Sequence, residues 1–323
     1  MPSATGSGPG GAGFAGRSPA GPLRVTSPGY RATDAEIPAG RERDGRQMRV
    51  LTWNVWWRFG PWQERRKAVL TVLRDLEPDI VGLQEVWADP GENLAEWLAG
   101  ELGMHWVWAP SDRPGRWRER LGDPAADIGL AVLSRWPVAA HEAVRLPAPR
   151  DLDDGRMALY ALVDAPAHRV PFFTAHLTSA RHASAVRREQ VAAVAGLVAA
   201  RRGRTGFPPV VTGDFNARPD SDEIRLLGGR GTPPAVPGQV LLDAWDHADP
   251  REPSATRDIA GSRAAEGPGD RVDYIRVGPP GPGGAGRVLS VRRAGDAPVD
   301  GVWPSDHAAV VADLAAREPG GGR

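Results

Sequence analysis

The order of the apolar segments limits the fold of this chain more than any other feature. Segments with strand-like patterning outnumber those with helical spacing, and several follow one another with no helix between them. Successive parallel strands need a crossover helix, so this order argues against a doubly wound parallel sheet. It favours an α/β protein in which two mixed β-sheets pack together and the helices lie outside.

Individual helices and strands can be placed from the same pattern. The segment 62–76 is the clearest helix, because its apolar residues from Ala68 to Leu76 recur at helical spacing and Pro78 follows. Further helices are predicted at 94–102, 183–200 and 220–227. Strands are predicted at 48–53, 79–84, 106–109, 128–134, 157–163, 171–176, 210–212, 271–277, 288–292 and 308–314. The Gly- and Pro-dense stretches 228–238 and 278–286 are predicted surface loops.

Composition divides the chain into one ordered domain and two tails. Residues 1–47 are rich in Gly, Pro, Ser, Ala and Arg and show no sustained apolar periodicity, so we predict a disordered N-terminal tail. Residues 48–316 form the predicted domain, and residues 317–323 are a predicted disordered C-terminal tail. A domain of this length can bury a sizeable core without covalent staples.

Composition also excludes several kinds of protein. The 323 residues include no cysteine, which excludes a disulfide scaffold, a thiolate zinc site and a cysteine nucleophile. Lys plus Arg and Asp plus Glu both number 40, so nucleic acid is not the favoured partner. No apolar run approaches the ~18 residues of a membrane span, and no secretory signal is recognisable. We therefore expect a cytoplasmic monomer with no transmembrane segment.

Polar residues recur where the predicted strands end or begin. The six clusters are Trp53-Asn54, Gln84-Glu85, His176, Gly213-Asp214-Phe215-Asn216, Asp270-Arg271-Val272-Asp273-Tyr274 and Ser305-Asp306-His307. Each cluster places an acid, an amide or an imidazole beside residues that a core would bury. Six such clusters, all of hydrolytic or metal-ligand type, indicate convergence on one cleft.

In this order the six clusters resemble the motifs of the endonuclease/exonuclease/phosphatase superfamily, the DNase I-like group. The resemblance covers about residues 48–314. It implies a four-layer α/β/β/α sandwich with the active site at one edge of the paired sheets. It also implies a metal-dependent hydrolase of phosphodiesters or phosphomonoesters, in which an activated water attacks phosphorus directly and no covalent enzyme intermediate forms.

Glu85 is the predicted principal metal ligand. The resemblance places Asn54 and Asp306 beside it, and this set of oxygen donors suits Mg²⁺, for which we expect Mn²⁺ to substitute. The ion would polarise a phosphoryl oxygen. Asn54 is also a candidate for substrate binding. Taken alone, Glu85 has the alternative interpretation of a surface ion-pair partner.

Asp214 and Asn216 are predicted to act as a pair, because alternate residues of an extended segment face the same side. We expect Gly213 to allow a sharp turn at the strand end. By resemblance, Asp214 orients and deprotonates the attacking water, and Asn216 holds that water or a phosphate oxygen of the substrate. The alternative is an Asx turn that caps the helix predicted at 220–227.

Two histidines complete the predicted catalytic set. His307 and Asp273 would form a dyad in which the carboxylate fixes the imidazole tautomer and raises the imidazole pKa. By resemblance, His176 acts as a general acid or as a donor to the scissile phosphate. Asp127 is a candidate carboxylate partner for His176. Arg156 either contacts substrate phosphate or lies in a solvated loop.

Two further features of the sequence have alternative explanations. The twelve tryptophans, several of them beside the motifs, form either an aromatic rim for a base, a sugar or a lipid headgroup or, as we favour, parts of the core. Arg113, Arg116, Arg118 and Arg120 surround Trp117 in a predicted basic loop. This loop either tracks a phosphate backbone or is simply solvated.

Three functional hypotheses follow. The first is a hydrolase of a small or lipid-linked phosphoester, which zero net charge and His176 favour, since the similar AP endonucleases usually carry tyrosine at that place. The second is a DNase I-like endonuclease or exonuclease, which the segment Arg113–Arg120 favours. The third is a non-catalytic binding module, which predicts the loss of a catalytic residue, whereas all the expected ones are present.

Overall fold

The computed structural model describes residues 24–25, 47–203, 205–259 and 269–316. The strands in this part of the chain are β1 (Arg24–Val25), β2 (Gln47–Asn54), β3 (Ile80–Ala88), β4 (His105–Pro110), β5 (Asp127–Ser134), β6 (Val138–Arg145), β7 (Met157–Asp164), β8 (Arg169–His176), β9 (Val210–Asp214), β10 (Leu242–Asp243), β11 (Asp273–Val277), β12 (Val288–Ala294) and β13 (Ala309–Ala315). The helices are α1 (Trp62–Leu76), α2 (Leu94–Leu102), α3 (Gly115–Leu121), α4 (Ser184–Arg201) and α5 (Asp222–Gly228).

The strands form two sheets. One has the order β1-β6-β7-β8-β9-β11-β10, and the other has the order β12-β13-β2-β3-β5-β4. Both sheets are mixed, because β2 pairs in parallel with β3 and β8 in parallel with β9, whereas their other neighbours pair antiparallel. The predicted α/β fold with two mixed sheets is confirmed.

The two sheets pack face to face around a shared core. On β2, Val50 lies in this core, whereas its neighbour Leu51 packs with the residues of α1 and α2 on the outer face. On β8, Phe172 lies in the shared core and Phe173 packs against α4 on the opposite face. Because side chains alternate along a strand, each sheet is apolar on both faces. The result is the four-layer α/β/β/α sandwich that the resemblance implied.

The observed helix bounds agree closely with the predicted ones, and α2 shows the capping expected at helix ends. α1 and α2 have the predicted bounds, and α4 and α5 differ from prediction by at most two residues at either end. At the start of α2, the Asn93 side chain accepts hydrogen bonds from the backbone N–H groups of Ala95 and Glu96. Gly103 ends this helix in the left-handed conformation, with φ of 63°.

Four elements are missing from the sequence-based prediction: helix α3, strand β6 and the two-residue strands β1 and β10. Residues 115–121, predicted to be part of a basic loop, form α3, in which Trp117 is the buried residue. Because a single buried side chain gives no apolar stripe along a helix, the sequence of this segment shows no helical periodicity. Strand β6 was missed because its central residues 139–142 are exposed or half-buried and do not alternate in polarity.

The predicted domain boundaries remain predictions. Gln47 already belongs to β2, and Arg24–Val25 pair antiparallel with Val144 and Ala143 of β6. The other residues of the predicted tails, 1–23, 26–46 and 317–323, lie outside the described residues. Within the described part of the chain, no helix combines the length and hydrophobicity needed to span a bilayer.

Candidate active site

Strand ends from both sheets meet at one edge of the sandwich. The carboxyl ends of the parallel pairs β2–β3 and β8–β9 lie at this edge, where the antiparallel strands β11 and β13 begin. The edge carries a cleft of about 250 Å³. The structure brings together there the predicted residues Asn54, Glu85, Arg156, His176, Asp214, Asn216, Asp273, Asp306 and His307.

Glu85 reaches the cleft through an irregularity in β3. The register between β3 and β5 shifts between Leu83 and Val86, and Glu85 has φ of 54°. A bulge of this kind redirects a side chain relative to the regular alternation. Glu85 Oε1 consequently accepts a hydrogen bond from Asn54 Nδ2 at 3.3 Å and lies 4.0 Å from His176 Nε2.

Gly213 permits a close approach of two strands. Its φ is 143°, and a Cβ at this position would lie 2.0 Å from the backbone oxygen of Ala175 on β8. The sequence suggested a glycine that allows a sharp turn, whereas the structure shows one that allows backbone contact. This contact sets the register that places His176 opposite Asp214.

Asp214 lies at the centre of the site. Its Oδ2 accepts a hydrogen bond from Asn54 Nδ2 at 3.1 Å and lies 3.4 Å from His176 Nε2 and 3.9 Å from His307 Nε2. The N–H of Asn216 donates to Oδ1 at 2.8 Å. Burial raises the pKa of Asp214, but the two imidazoles and the Asn216 N–H outweigh burial and hold this pKa below its usual range. Asp214 is therefore an ionised carboxylate.

Asn216 continues the turn after β9. Its Nδ2 donates to the backbone oxygen of Leu177 at 3.1 Å, and Arg257 Nη1 donates to its Oδ1 at 3.2 Å. The bond from Asn216 N to Asp214 is an Asx turn, but it does not cap α5, whose N-cap residue is Ser221. Sequence reasoning missed Arg257, because it lies in an irregular segment with no motif around it.

His307 and Asp273 form the predicted dyad. His307 Nδ1 lies 2.8 Å from Asp273 Oδ2, and both side chains are buried. Burial lowers the pKa of His307, but the adjacent Asp273 charge and hydrogen bond outweigh it and raise the pKa to about 10. The backbone of His307 is held as well, because its N–H donates to Ser305 Oγ, which donates to the backbone oxygen of Asn54. His307 is thus an imidazolium beside Asp214.

His176 has a different partner from the one predicted. Arg156 Nη1 lies 2.6 Å from His176 Nε2, and Asp154 holds Arg156 through contacts of 2.9 Å from Nε and from Nη2. Arg156 is buried, its Nη2 also donates to Ser179 Oγ at 3.3 Å, and its guanidinium lies 5.3 Å from the centre of the Trp117 ring. Arg156 therefore belongs to the site and is not a solvated loop residue.

Asp127 does not reach His176. Its Oδ1 pairs with Arg118 Nη2 at 2.5 Å, and its backbone oxygen accepts a hydrogen bond from Trp57 Nε1 at 2.8 Å. Asp127 opens β5 opposite Ala88 at the far end of β3, beyond the bulge at Glu85. The sequence placed it at a strand end correctly, but strand order does not show how far apart two strand ends lie.

The donor set at the cleft fits a hard cation. Glu85 Oε2 is buried and has no hydrogen-bond partner among the described residues, which suits an oxygen that faces a metal ion. Asp306 lines the same cleft. Asn54 differs from the prediction, because its Nδ2 faces Glu85 and Asp214 while its Oδ1 accepts from the N–H of Trp56 at 3.0 Å. Asn54 thus bridges two carboxylates and does not present its oxygen to a metal.

A second group could also hold a metal ion. Ligand atoms of Asp214, Asp273 and His307 all lie within 4.8 Å of one another, and all three side chains are buried. The imidazolium of His307 already places a positive charge beside these two carboxylates, so a cation that used its ring nitrogen as a ligand would have to displace its proton. Glu85 and Asp306 require no such displacement.

Arg65 organises the loop that follows β2, a role that no motif indicated. Its guanidinium donates to five backbone oxygens, those of Val55, Trp56, Trp57, Phe59 and Pro304, at 2.8–3.0 Å. Burial lowers the pKa of Arg65 to about 10, although the charges of Asp306 and Glu85 oppose this shift. Arg65 therefore supports the chain segments on either side of the candidate metal ligands.

Most tryptophans near the motifs belong to the core, as favoured from the sequence. Trp53, Trp57 and Trp87 are fully buried. Trp56 differs from them, because it is half-buried and lines the cleft together with the half-buried Phe59.

The fold and the site define a class of protein: a four-layer α/β/β/α sandwich with a buried set of carboxylates and imidazoles at one edge of its paired sheets. The sequence profile of the endonuclease/exonuclease/phosphatase family matches residues 51–307. The chain belongs to this family, whose members hydrolyse phosphoester bonds. The resemblance stated from the six motifs is confirmed.

Individual relatives agree with this assignment. The structure of an endonuclease/exonuclease/phosphatase from Beutenbergia cavernae is 25% identical, with a TM-score of 0.62 over 84% of this chain and 72% of that one. The catalytic domain of human Nocturnin shares the fold at 21% identity, with a TM-score of 0.59 over 83% of this chain and 94% of that one. Protein angel of Drosophila melanogaster is 29% identical over 182 residues, which are 53% of this chain and 48% of that protein. The chain thus spans about half the length of this curated relative.

Proposed function

We propose that this protein is a Mg²⁺-dependent phosphoesterase that hydrolyses a phosphodiester or phosphomonoester by direct attack of an activated water. The observation that supports it most strongly is the environment of Asp214. A buried, ionised carboxylate with hydrogen-bond donors on both oxygens is held in one orientation beside an open cleft. Such a group can orient a water molecule and accept its proton as phosphorus is attacked.

The positive groups around Asp214 suit the charge that develops during the reaction. The imidazolium of His307, fixed by Asp273, lies 3.9 Å from Asp214 Oδ2 and lines the cleft. Arg156 lines the cleft beside His176. Both are preorganised donors for non-bridging phosphate oxygens, and such donors stabilise the transition state more than the ground state.

The metal belongs to the carboxylate side of the cleft. In this proposal Glu85 and Asp306 hold the ion, and Asn54 keeps Glu85 and Asp214 at a fixed separation. Mg²⁺ bound there supplies Lewis-acid polarisation of a phosphoryl oxygen, and Mn²⁺ is expected to replace it.

The substrate we favour is a small or lipid-linked phosphoester. The net charge of the chain is zero, which gives no general attraction to a polyanion. Two of the four arginines in the Arg113–Arg120 segment are engaged, Arg113 with Asp153 at 3.1 Å and Arg118 with Asp127. That leaves Arg116 and Arg120 of this segment to follow a phosphate backbone.

The test compares the wild type with Asp214→Asn, with Mg²⁺ or with EDTA, on bis-p-nitrophenyl phosphate, sphingomyelin and inositol polyphosphates. We expect metal-dependent turnover that Asp214→Asn lowers by ~10²-fold or more, the size expected for a positioned general base. Asp164→Asn is the matched control, because this carboxylate pairs with Arg169 on the protein surface. Turnover that is indifferent to EDTA and to Asp214→Asn would contradict the proposal.

The alternative is a DNase I-like nuclease. The observation in its favour is the exposed Arg120 at the cleft, on a helix that also carries Arg116. Nicking of supercoiled plasmid at catalytic enzyme concentration, lost in Asp214→Asn, would select this alternative. Hydrolysis of the small esters without nicking would exclude it.

A further inference from the structure

Part of the lining of the active-site cleft is aromatic. Trp56, Phe59 and Trp117, here called the aromatic wall, line the same cleft as Glu85 and Asp214. The ring centres of Trp56 and Phe59 lie 6.2 Å apart, with their planes inclined by 44°. Trp117 is buried, whereas Trp56 and Phe59 are half-buried and keep part of their rings accessible from the cleft.

The backbone of the aromatic wall is held in an unfavourable conformation. Trp56 has φ of 57° and Trp57 has φ of 38°, a region that bulky residues rarely adopt. The Trp56 N–H donates to Asn54 Oδ1, and Arg65 donates to the Trp56 oxygen at 2.9 Å. Strain of this kind persists where surrounding bonds enforce it, and it is concentrated at functional sites. Here it fixes the Trp56 ring two residues from Asn54.

The contacts of Trp56 distinguish it from a core tryptophan. The Arg65 guanidinium lies 4.8 Å from the centre of the Trp56 ring and covers one side of it. The fully buried Trp53 and Trp57 donate their indole N–H groups to backbone oxygens of His307 and Asp127. Within the described part of the chain, the indole N–H of Trp56 makes no such bond, and the Trp56 ring lines the cleft.

We propose that the aromatic wall binds a flat aromatic or heteroaromatic ring carried by the phosphoester substrate. This inference rests on the proposed function, because it places the ring in the same cleft as Asp214. Aromatic side chains stack on any planar ring with little dependence on its substituents. The ring comes either from an aryl ester or from a nucleoside, and both present the same π-face.

Arg120 adds a positive charge to the aromatic wall. Its guanidinium lies 4.8 Å from the centre of the Phe59 ring and 5.6 Å from that of Trp117, and the residue is exposed. A planar guanidinium stacks on aromatic rings as well as pairing with anions. The aromatic wall with Arg120 therefore suits an electron-rich ring on a charged ester better than it suits an alkyl chain.

An acyl chain fits this surface less well. In the described part of the chain, Leu289 is the large hydrophobic side chain that is exposed, and it does not line the cleft. A lipid substrate held at a bilayer would need an apolar platform around the cleft mouth. The cleft lining instead combines aromatic rings with arginines and carboxylates.

The test measures binding and needs no turnover. Phenylphosphonate is compared with methylphosphonate, and the phosphonate isostere of uridine 5′-phosphate with that of ribose 5-phosphate, by calorimetry with Mg²⁺ on the full chain. Each pair differs by one ring. We expect the ring to increase affinity by about tenfold in at least one pair, the effect of a single stacking contact. The pair with the larger gain distinguishes an aryl ester from a nucleoside.

Three variants test whether the aromatic wall supplies this gain in affinity. Trp56→Leu and Phe59→Leu should each remove most of the ring's contribution and leave methylphosphonate affinity within about twofold of the wild type. Trp97→Leu is the matched control, because Trp97 is also half-buried under an arginine, with Arg66 at 4.8 Å, but does not line the cleft. Trp97→Leu should keep the full gain in affinity that the ring gives the wild type.

Several outcomes would overturn the inference. Equal affinity for both members of each pair would do so, as would a ring gain that survives in Trp56→Leu and Phe59→Leu. Tighter binding of octylphosphonate than of phenylphosphonate would indicate a lipid substrate instead. If no phosphonate binds while Asp214-dependent ester hydrolysis persists, the inference fails alone. If hydrolysis is absent as well, the proposed function fails with it.

Discussion

Arg156 Nη1 and His176 Nε2 lie 2.6 Å apart, and this contact determines what His176 can do. A guanidinium can only donate, so Nε2 of His176 accepts this bond. The contact is shorter than the 3.4 Å that separates the same nitrogen from Asp214 Oδ2. The two contacts compete for one nitrogen, because the form of His176 that accepts from Arg156 at Nε2 does not donate from Nε2 to Asp214 or to a leaving group. In the proposed mechanism, the form of His176 that accepts from Arg156 supports this guanidinium, and Arg156 is the donor to phosphate.

Asp154→Asn should weaken the ion pair that holds the Arg156 guanidinium in place. Asp154 accepts two contacts of 2.9 Å from the guanidinium and is itself buried. We expect kcat to fall by roughly tenfold or more with a smaller change in KM, because misplacement of a transition-state donor affects the chemical step. Steady-state kinetics on bis-p-nitrophenyl phosphate measures this split. Asp153→Asn, which changes the adjacent ion pairs with Arg113 and Arg145, is the control, and an equal loss in both variants would refute the role of Asp154.

Arg65→Met should destabilise the fold and loosen the loop after β2. The variant leaves five backbone oxygens without their donor, and three of them, those of Val55, Trp57 and Pro304, are in buried contacts. We expect the free energy of unfolding to fall by about 3 kcal/mol or more, because buried unsatisfied acceptors are costly. Arg74→Met on the same helix removes an exposed ion pair with Glu101 and should cost less than about 1 kcal/mol. Urea denaturation of both variants checks the difference, and similar losses would contradict it.

The pKa of His307 should appear as a pH dependence of stability. Its folded-state pKa is raised to about 10 from an ordinary value of 6.5, so its contribution is complete below pH 6.5. That contribution is lost as pH rises through about 10. The free energy of unfolding of metal-free protein should therefore decline over this range more steeply in the wild type than in His307→Gln. Parallel profiles for the two proteins would show that His307 is not an imidazolium in the fold.

Removal of single carboxylates should distinguish the two candidate metal groups. Glu85→Gln is expected to weaken Mn²⁺ binding by about tenfold or more, whereas Asp273→Asn should change it by less than about threefold. Electron paramagnetic resonance of free Mn²⁺ measures both affinities. The opposite ranking would place the ion at the Asp214, Asp273 and His307 group.

The fold and most of the polar residues that meet at the cleft were readable from the sequence. Strand alternation and the motifs around Asp214 and His307 are local features of the sequence. They predict the site because residues at the ends of strands lie at the edge of the sheet. The supporting residues were not readable in this way. Nothing in the local pattern separates the buried Arg65 from its half-buried neighbour Arg66, or the buried Asp154 from the other acids near it.

The wrong pairing of Asp127 with His176 has the same origin. Both residues occupy strand ends, but distances between ends depend on sheet order, on the bulge at Glu85 and on how the two sheets pack. The conformation of Trp56 is only partly local, because Arg65 on helix α1 enforces it together with the neighbouring Asn54. Sequence reasoning therefore identified the polar residues of the cleft more reliably than the groups that position them.

Strand β13 directly follows His307 and lies between β12 and β2, whose last residue is Asn54. Pairing of residues so distant in the chain requires nearly all of the polypeptide to be present. A chain that lacks the segment from His307 through β13 has no imidazolium beside Asp214 and no complete cleft. The proposed activity is therefore expected to appear only when β13 is inserted between β12 and β2, so that activity reports completed assembly of this sheet.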